Sequence, residues 1–357
     1  MLRILLAPFL AIVALLWPAG RDAGDRSAGI AAAPTASLAK MVGQQMMVRM
    51  NGTSADSALL ARIRAGQVGG VILYAENITS PGQTRALVHQ LQAAARAGHN
   101  PPLLISTDQE GGQVKRLPWA APAVSPPAMG AAGSNVSRRQ GTQTGRDLRA
   151  VGINVDLAPV VDVAHSANAF IWRQGRSFGM SSQRVIGSAV PFALGMLHAR
   201  VAPTAKHFPG VGGATIDTDF AKQTISVGRR DLAPYRVLIP DHVPLIMVST
   251  GIYPALDRSR KPAALSRPIV TGLLRKKLGF TGVTISDDLE RPTGYSTQDA
   301  VVRAAAAGID EILVSSTEGA GPVAYHSVLG AARAGEVPRS TIAAAYARIL
   351  ALKKAYA

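Results

Sequence analysis

The chain contains no cysteine among its 357 residues. It therefore has no disulfides, no thiolate metal site, no catalytic thiol and no cysteine for lipid attachment. The histidines are scattered, and no pair of them has the spacing of metal ligands. We expect a protein that depends on its core for stability and needs no metal and no other cofactor.

Acidic residues are also scarce, with 22 Asp and Glu against 38 Lys and Arg, which gives a formal net charge of +16. Such a charge favours electrostatic association with anionic cell-wall polymers or a membrane surface. An arginine-rich proteome is the alternative explanation. We do not expect nucleic-acid binding, because no basic stripe interleaved with aromatic residues is present. We expect a monomer.

Long apolar runs are missing as well, and the longest lies at the N-terminus. A basic start at Met1–Arg3 is followed by apolar residues 4–17, with Pro8 among them. This pattern is typical of a secretory signal peptide, and the run is shorter than the ~20 residues of a membrane-spanning helix. It predicts a signal peptide, or alternatively an uncleaved anchor, over residues 1–20, a linker over 21–37 and a folded domain over 38–357. The protein is then exported, to the cell envelope or beyond.

Beyond the linker, short apolar runs alternate with Ala-, Leu- and Arg-rich stretches that have helical spacing. The predicted strands are Val68–Tyr74, Pro102–Thr107, Ile153–Pro159, Thr204–His207, Leu245–Ser249, Gly282–Ser286 and Glu311–Ser315. The predicted helices are Thr84–Ala97, Arg138–Val151, Gln183–Arg200, Pro268–Leu278, Asp299–Ala307, Val323–Ala334 and Thr341–Ala355. Continuously apolar strands that alternate with helices indicate a parallel sheet covered by helices.

Seven or eight such units favour one α/β domain, a (β/α)₈ TIM barrel, over an open sheet. A doubly wound dinucleotide-binding fold is the rival, and it requires a glycine-rich fingerprint directly after the first strand. Residues 75–78 after the first predicted strand read Ala-Glu-Asn-Ile. The barrel is therefore the better prediction.

Polar residues lie within or directly after the last residues of five predicted strands, at the barrel end where active sites lie. They are Asp108–Gly112, Asp156 with Asp162, Lys206–Gly210, Asp287–Asp288 and Ser315–Thr317. Carboxylates together with Lys and His are the groups that bind sugar hydroxyls, and glycosidic cleavage needs a carboxylate near the anomeric carbon. Asp287 or Asp288 fits that role. The alternative for this pair is a cap on the following helix.

Five segments carry a family resemblance. They are DQEGGQVKRL (108–117), GINVDLAPVVDV (152–163), RSFG (176–179), KHFPG (206–210) and LGFTGVTISDDL (278–289). In this order and spacing, over residues 38–352, the chain resembles the family-three glycoside hydrolases, and within them the single-barrel β-N-acetylglucosaminidases (β-N-acetylhexosaminidases). The resemblance implies removal of terminal β-N-acetylglucosamine from cell-wall or related glycans, as in peptidoglycan recycling.

The resemblance also implies residue roles. Asp287, the first Asp of Ser-Asp-Asp, matches the family nucleophile, which forms a covalent glycosyl-enzyme with retention of configuration. The residues that match the sugar-binding set are Asp108, Arg116, Arg176, Lys206 and His207.

The sequence departs from the family where the acid/base is expected. The single-barrel enzymes carry a catalytic His on the loop after Lys-His-Phe-Pro-Gly, and this chain has Asp219 there, two residues after Asp217. Val211 and Thr250 replace two further family histidines. Asp219 itself serves as acid/base if burial and the carboxylates of Asp217 and Asp287 raise its pKa.

Other interpretations remain open at this stage. Glu110 or Glu290 is an alternative proton donor, and a barrel that binds glycans without turnover is a third possibility. A β-glucosidase or β-xylosidase is the rival specificity, although such relatives usually complete their site with a second domain.

Overall fold

The structure is a computed structural model that describes residues 36–357. The predicted signal or anchor segment, 1–20, and the predicted linker as far as residue 35 lie outside the described residues. Within residues 36–357, no helix is both long enough and apolar enough to cross a membrane.

Eight parallel strands form one sheet that closes on itself. They are β1 (Met46–Arg49), β2 (Gly70–Ile72), β3 (Leu104–Thr107), β6 (Val155–Asp156), β7 (Ala202–Phe208), β8 (Leu245–Val248), β9 (Val283–Ser286) and β10 (Ile312–Val314). A short hairpin, β4 (Gln109–Gly111) and β5 (Val114–Lys115), follows β3. The sheet closes where the Ser286 N–H donates to the Glu311 carbonyl at 3.0 Å. The predicted (β/α)₈ barrel is confirmed.

Helices surround the sheet. They are α1 (Leu38–Gly43), α2 (Ser57–Arg64), α3 (Pro81–Ala97), α4 (Pro126–Ala132), α5 (Ser134–Ala150), α6 (Phe170–Arg173), α7 (Ser182–His198), α8 (Arg229–Leu238), α9 (Thr297–Ala307), α10 (Ala320–Ala334) and α11 (Arg339–Tyr356), with a π-helix at Pro268–Lys277 and 3₁₀ turns at Ala75–Asn77 and Ala263–Leu265. Their starts follow the usual chemistry: the Ser80 side chain caps α3 by accepting from the Gln83 N–H, and Pro81 occupies the first turn.

The core has two layers because both faces of a parallel sheet are covered. One layer fills the space between strands and helices. The other fills the barrel interior with side chains such as Met47, Leu104, Val155, Met247 and Ile285. The interior layer is a packed core, so any ligand must bind above it, at the strand ends.

Strand β1 is the element that the sequence patterns miss. It reads Met-Met-Val-Arg and begins three residues after α1 ends at Gly43, with no Pro, Asn or Asp between them. Methionine and arginine carry little β-propensity, and the strand forms because its neighbours β2 and β10 pair with it on both sides. The predicted strands are otherwise present at the predicted places, several of them shortened at their ends.

Candidate active site

A polar pocket opens at the carboxyl ends of the strands. It has a cavity of about 140 Å³, and the barrel interior closes its floor with Ile72, Leu157, Met247 and Leu313. All eight residues predicted for the site line this one pocket: Asp108, Arg116, Arg176, Lys206, His207, Asp217, Asp219 and Asp287. Residues of β7, and of the segments after β3, β6, β7 and β9, are thus brought together, as barrel geometry requires.

One wall of the pocket is a buried cluster of ion pairs. The Lys206 ammonium lies 2.6 Å from an Asp108 oxygen and 2.8 Å from Glu110 Oε1. Arg176 donates to both Glu110 oxygens, from Nε at 2.9 Å and from Nη2 at 2.8 Å. Arg116 completes the cluster at 3.8 Å from Asp108. Each side chain is thereby held in one orientation, which a site for a polyhydroxylated ring requires.

Glu110 is the member of this cluster that contacts both Arg176 and Lys206. Burial raises the pKa of Glu110, but the charges of Arg176 and Lys206 outweigh burial and hold that pKa below its usual range. A carboxyl that stays ionised and fully occupied by two cations is a poor proton donor. The geometry therefore disfavours the alternative in which Glu110 is the acid/base.

His207 is oriented by a second carboxylate. Its Nδ1 lies 2.7 Å from Asp162 Oδ2, which leaves Nε2 on the side of Arg176, 3.5 Å from Nη2. Asp162 also accepts from the backbone N–H of Val211 at 2.8 Å. One buried carboxylate therefore fixes both the His207 ring and the start of the following loop.

Asp287 stands directly after β9. Its backbone N–H donates to the Val248 carbonyl at 2.9 Å, and its side chain is partly accessible from the pocket. Burial raises the pKa of Asp287, whereas the charges of His207 and Lys206 act in the opposite direction. A partly accessible carboxyl at a strand end is chemically able to act as a nucleophile.

Asp288 has a different environment from its neighbour. Its oxygens accept from the Ser315 N–H at 3.1 Å and from the Ser316 hydroxyl, and Arg291 Nε lies 3.2 Å away. These contacts tie the end of β9 to the loop after β10. Asp288 therefore supports the site. The interpretation of this pair as a helix cap is wrong, because the next helix, α9, is capped by Ser296.

Asp217 and Asp219 lie on the loop after β7. The Asp219 N–H donates to Asp217 Oδ1 at 3.1 Å, and Gln174 donates to Asp217 Oδ2 at 2.8 Å. The loop starts in close backbone contact, since a Cβ on Gly212 would lie 1.8 Å from the Val163 carbonyl oxygen. This packing gives the loop a fixed base and brings both carboxylates to the pocket.

The surroundings of Asp219 raise the pKa of its carboxyl group. Burial, the carboxylate of Asp287 and the carboxylate of Asp217 raise the pKa of Asp219 to about 7. Arg291 and His207 oppose this rise. A carboxyl of this pKa is half protonated near pH 7, the range in which general acid and general base catalysis are both efficient.

Arg291 and Tyr74 are among the pocket residues that sequence reasoning missed. Arg291 lies four residues after Asp287, and its Nη2 is 3.9 Å from Asp219 Oδ2. Tyr74 donates its hydroxyl to Ser315 at 2.8 Å, and the guanidinium of Arg116 lies 5.6 Å from the centre of its ring. Both residues come after strands of the barrel. This position in the sequence is the signal that could have identified them as pocket residues.

Glu290, the other alternative proton donor, and the two remaining departures from the family pattern, Val211 and Thr250, lie apart from the pocket lining. Glu290 accepts from Ser316 N–H at 2.8 Å and from the Thr317 hydroxyl, so its oxygens serve the loop after β10. Val211 and Thr250 are buried. Within residues 36–357, no group of three or more His, Asp or Glu is arranged to hold a metal ion.

The comparisons with known proteins agree with this architecture. Residues 37–352 match the glycosyl hydrolase family 3 N-terminal domain. A secreted glycosyl hydrolase of Arthroderma benhamiae, described as uncharacterized, is 34% identical over 88% of this chain and 93% of its own length. The β-hexosaminidase of Pseudomonas aeruginosa is 34% identical over 75% of this chain and 81% of its own length.

Solved structures similar to this chain include members of the same family. A β-N-acetylhexosaminidase from Beutenbergia cavernae has a TM-score of 0.82 and 34% identity, covering 89% of this chain and 99% of that one. A glycoside hydrolase family 3 β-N-acetylglucosaminidase from Paenibacillus superposes with a TM-score of 0.86 and 34% identity, covering 89% of this chain. This chain spans only 62% of the Paenibacillus protein.

The closed barrel and its carboxylate-rich pocket, with these relatives, define a glycoside hydrolase. More particularly, the chain belongs to glycosyl hydrolase family 3.

Proposed function

We propose that the protein is a retaining exo-β-glycosidase that releases terminal β-N-acetylglucosamine from cell-wall or related glycans. The observation that supports this most directly is that Asp287 and Asp219 line the same pocket and that the charge of Asp287 raises the pKa of Asp219. Two carboxyl groups with distinct surroundings are the minimum equipment of glycoside hydrolysis. The floor of barrel side chains supports action at a chain end, because a glycan cannot continue through it.

In the first step the terminal sugar lies in the pocket, with its hydroxyls on Asp108, Arg116, Arg176, Lys206 and His207. The Asp287 carboxylate attacks the anomeric carbon as the bond to the leaving oxygen breaks. Asp219, protonated, transfers its proton to that oxygen. The products are a glycosyl ester on Asp287 and a free alcohol.

In the second step the roles of Asp219 reverse. Its carboxylate accepts a proton from water while the water oxygen attacks the anomeric carbon, and the Asp287 ester bond breaks. Two inversions give net retention of configuration. Asp217 contributes by holding the Asp219 backbone and by its negative charge, which favours the protonated form of Asp219.

A panel of aryl β-glycosides tests this proposal. We expect the wild type to cleave the N-acetylglucosaminide faster than the glucoside or xyloside, and Asp287→Ala to lose activity by about 10⁴-fold or more. Proton NMR of the first-formed sugar should show the β-anomer. Release of the α-anomer, or an Asp287→Ala variant as active as the wild type, would rule the mechanism out.

Two other functions make different predictions in the same panel. A β-glucosidase or β-xylosidase would prefer the glucoside or xyloside. A glycan-binding barrel would cleave none of them, and its affinity for N-acetylglucosamine oligomers would be undiminished by Asp287→Ala.

We also propose that the protein is exported and acts at the cell envelope, with residues 1–20 as signal peptide or anchor and residues 38–357 as a single monomeric barrel. The description of the Arthroderma relative as secreted supports export. The formal net charge of +16 favours contact with anionic envelope polymers. Fractionation of cells that express the full chain, followed by mass spectrometry of the mature N-terminus, tests both points.

A further inference from the structure

A groove opens on the outside of the barrel between helices α3 and α5, with a cavity of about 580 Å³. On its other side α5 packs closely against α7, where a Cβ on Gly141 would lie 2.0 Å from the Phe192 carbonyl oxygen. Helix α3 packs on its other side against α2. Each helix is thus held by its other neighbour, and the space between the two is left open. We call it the α3–α5 groove.

The walls of the α3–α5 groove are basic. On α3, Arg85, His89 and Arg96 line the groove, and their spacing of four and seven positions places them on one face of the helix. Arg149 of α5 lines it as well. Among the described residues that form the groove there is no Asp or Glu. The three arginines therefore present positive charge that no acidic side chain of the groove neutralises.

These arginines have no ionic partner elsewhere in the described chain. Within residues 36–357, the arginines that form ion pairs are other ones. The single acidic residue of α5, Asp147, accepts from the Ala121 N–H at 2.8 Å and from Gln143 Nε2 at 2.7 Å, outside the groove lining. Unpaired guanidinium groups around one cavity favour an anionic occupant.

The floor of the α3–α5 groove is apolar. Val88, Val151 and Ile153 line it and are buried, and Tyr356 of α11 contributes its half-buried ring. A small hydrated anion would use the basic walls alone. An anion with an apolar body would use the walls and also remove the floor from water, which adds binding free energy in proportion to the apolar area covered.

A phosphate-bearing lipid matches both surfaces. Guanidinium groups pair with phosphate oxygens through two parallel hydrogen bonds, and an acyl chain covers an apolar floor. A purely polar polyanion, such as a charged wall polymer, matches the walls and leaves the floor unused. The combination of basic walls with an apolar floor therefore favours the lipid.

The α3–α5 groove lies at the opposite end of the barrel from the candidate active site. Pro102 and Asn154 line it, and they lie just before β3 and β6, at the ends where these strands begin. The polar pocket with Asp287 opens where the strands end. A surface that covers the groove would thus leave the pocket facing away from it and accessible.

We propose that the α3–α5 groove binds an anionic phospholipid and docks the barrel on a membrane surface. The barrel end where the strands begin then contacts the lipid, and the pocket faces outward, toward soluble or wall-bound glycans. This inference does not depend on the proposed function, because neither Asp219 nor Asp287 takes part in it.

Vesicle binding by the full chain tests the basic walls. Flotation with vesicles of phosphatidylcholine and phosphatidylglycerol should recover the wild type, and vesicles of phosphatidylcholine alone should recover much less. The triple variant Arg85→Gln, Arg96→Gln and Arg149→Gln should bind the anionic vesicles about a hundredfold more weakly, at about fivefold per arginine. Unchanged binding by this variant overturns the proposal.

A matched control removes the same charge from exposed positions outside the groove: Arg230→Gln, Lys276→Gln and Lys277→Gln. This variant should lose less than about fivefold, because its cations do not face the bound lipid. Any contribution from residues 1–35 is common to all the proteins compared. An equal loss in the two triple variants would mean that only the net charge attracts the protein to the vesicle, and it overturns the proposal.

Soluble ligands test the apolar floor. In calorimetry, dihexanoyl phosphatidylglycerol below its micelle concentration should bind at least about tenfold more tightly than glycerophosphoglycerol, which has the same headgroup without chains. Equal affinities would reveal a plain anion site, and tighter binding of poly(glycerol phosphate) than of the lipid would identify a polyanion as the partner. Either result overturns the lipid proposal.

The absence of cysteine allows a direct test of position. His89→Cys places an environment-sensitive fluorophore in the groove, and Lys276→Cys places it outside. Addition of anionic vesicles should shift the emission to the blue for the label at position 89 and leave the label at position 276 unchanged. This measurement needs none of the arginine variants to fold. No shift at position 89, or equal shifts at both positions, overturns the proposal.

Discussion

The Arg291 guanidinium lies between two carboxylates, with Nη2 3.9 Å from Asp219 Oδ2 and Nε 3.2 Å from Asp288 Oδ2. Asp288 is fixed to the strand end that carries Asp287, whereas Asp219 belongs to the loop after β7. Arg291 therefore connects the proposed acid/base to the proposed nucleophile's strand. It also supplies the positive charge that opposes the carboxylates around Asp219.

Removal of that charge should shift the alkaline limb of the pH profile. A nearby cation stabilises the ionised form of Asp219, so Arg291→Met raises the pKa of Asp219 above its present value of about 7. The protonated acid then persists to higher pH, and the alkaline limb of kcat/KM moves up by about half a pH unit. Arg229→Met, an equal charge change outside the pocket, is the control and should leave the limb in place. A downward shift for Arg291→Met would contradict the assignment.

The loss of activity caused by replacing Asp219 should depend on the leaving group of the substrate. Asp219→Asn cannot donate a proton, so we expect a loss of about 10²–10⁴-fold on alkyl glycosides and chitobiose. Dinitrophenyl glycosides depart without protonation, and their first step should be nearly preserved. A Brønsted plot of kcat/KM against leaving-group pKa should therefore be steeper for the variant. Equal slopes for the two proteins would exclude Asp219 as the acid.

Phosphate should be a poor acceptor for the glycosyl-enzyme. After proton donation Asp219 is an anion beside Asp217, so it repels a second anion while it activates neutral water. We expect hydrolysis to dominate product formation in phosphate buffer, with little glycosyl phosphate detected by phosphorus NMR. Asp219→His removes one negative charge at this position and should raise the phosphate product relative to the wild type. Comparable transfer to phosphate and water by the wild type would contradict this reasoning.

Glu110 should be important for stability as well as for binding. Glu110→Gln leaves Lys206 and Arg176 buried with one counter-charge fewer, at a cost of about 3 kcal/mol in the free energy of unfolding at pH 7. Glu76→Gln is the matched control: its pair with Arg49 at 2.7 Å is half exposed on the Glu76 side and should contribute less than about 1 kcal/mol.

The destabilisation caused by Glu110→Gln should change with pH in a definite direction. The pKa of Glu110 is lowered in the folded state, so its contribution is complete above the unfolded pKa of about 4.5 and decreases as the pH falls below it. The difference in urea midpoint between wild type and Glu110→Gln should therefore shrink below about pH 4.5. A difference that grows on acidification would mean that the carboxyl is not held ionised by its two cations.

The amino-acid sequence by itself determined the barrel and most of its strand ends. Apolar runs such as Leu245–Val248 are local signals, and the polar residues that follow strands, Asp287 among them, can be found without knowledge of any contact. Strand β1 escaped detection because its Met-rich sequence carries little β-propensity, and its pairing with β2 and β10 is what forms it.

Only the tertiary structure decided how the site residues act on one another. Lys206 and Asp108 are 98 positions apart, and Arg176 and Glu110 are 66 apart, so no local pattern pairs them. Arg291 and Asp219 are likewise far apart in the sequence, and no local pattern pairs them. The burial and the neighbouring charges that lower the pKa of Glu110 and raise that of Asp219 exist only once the barrel has closed, because electrostatic interactions depend on distance and solvent access and not on sequence order.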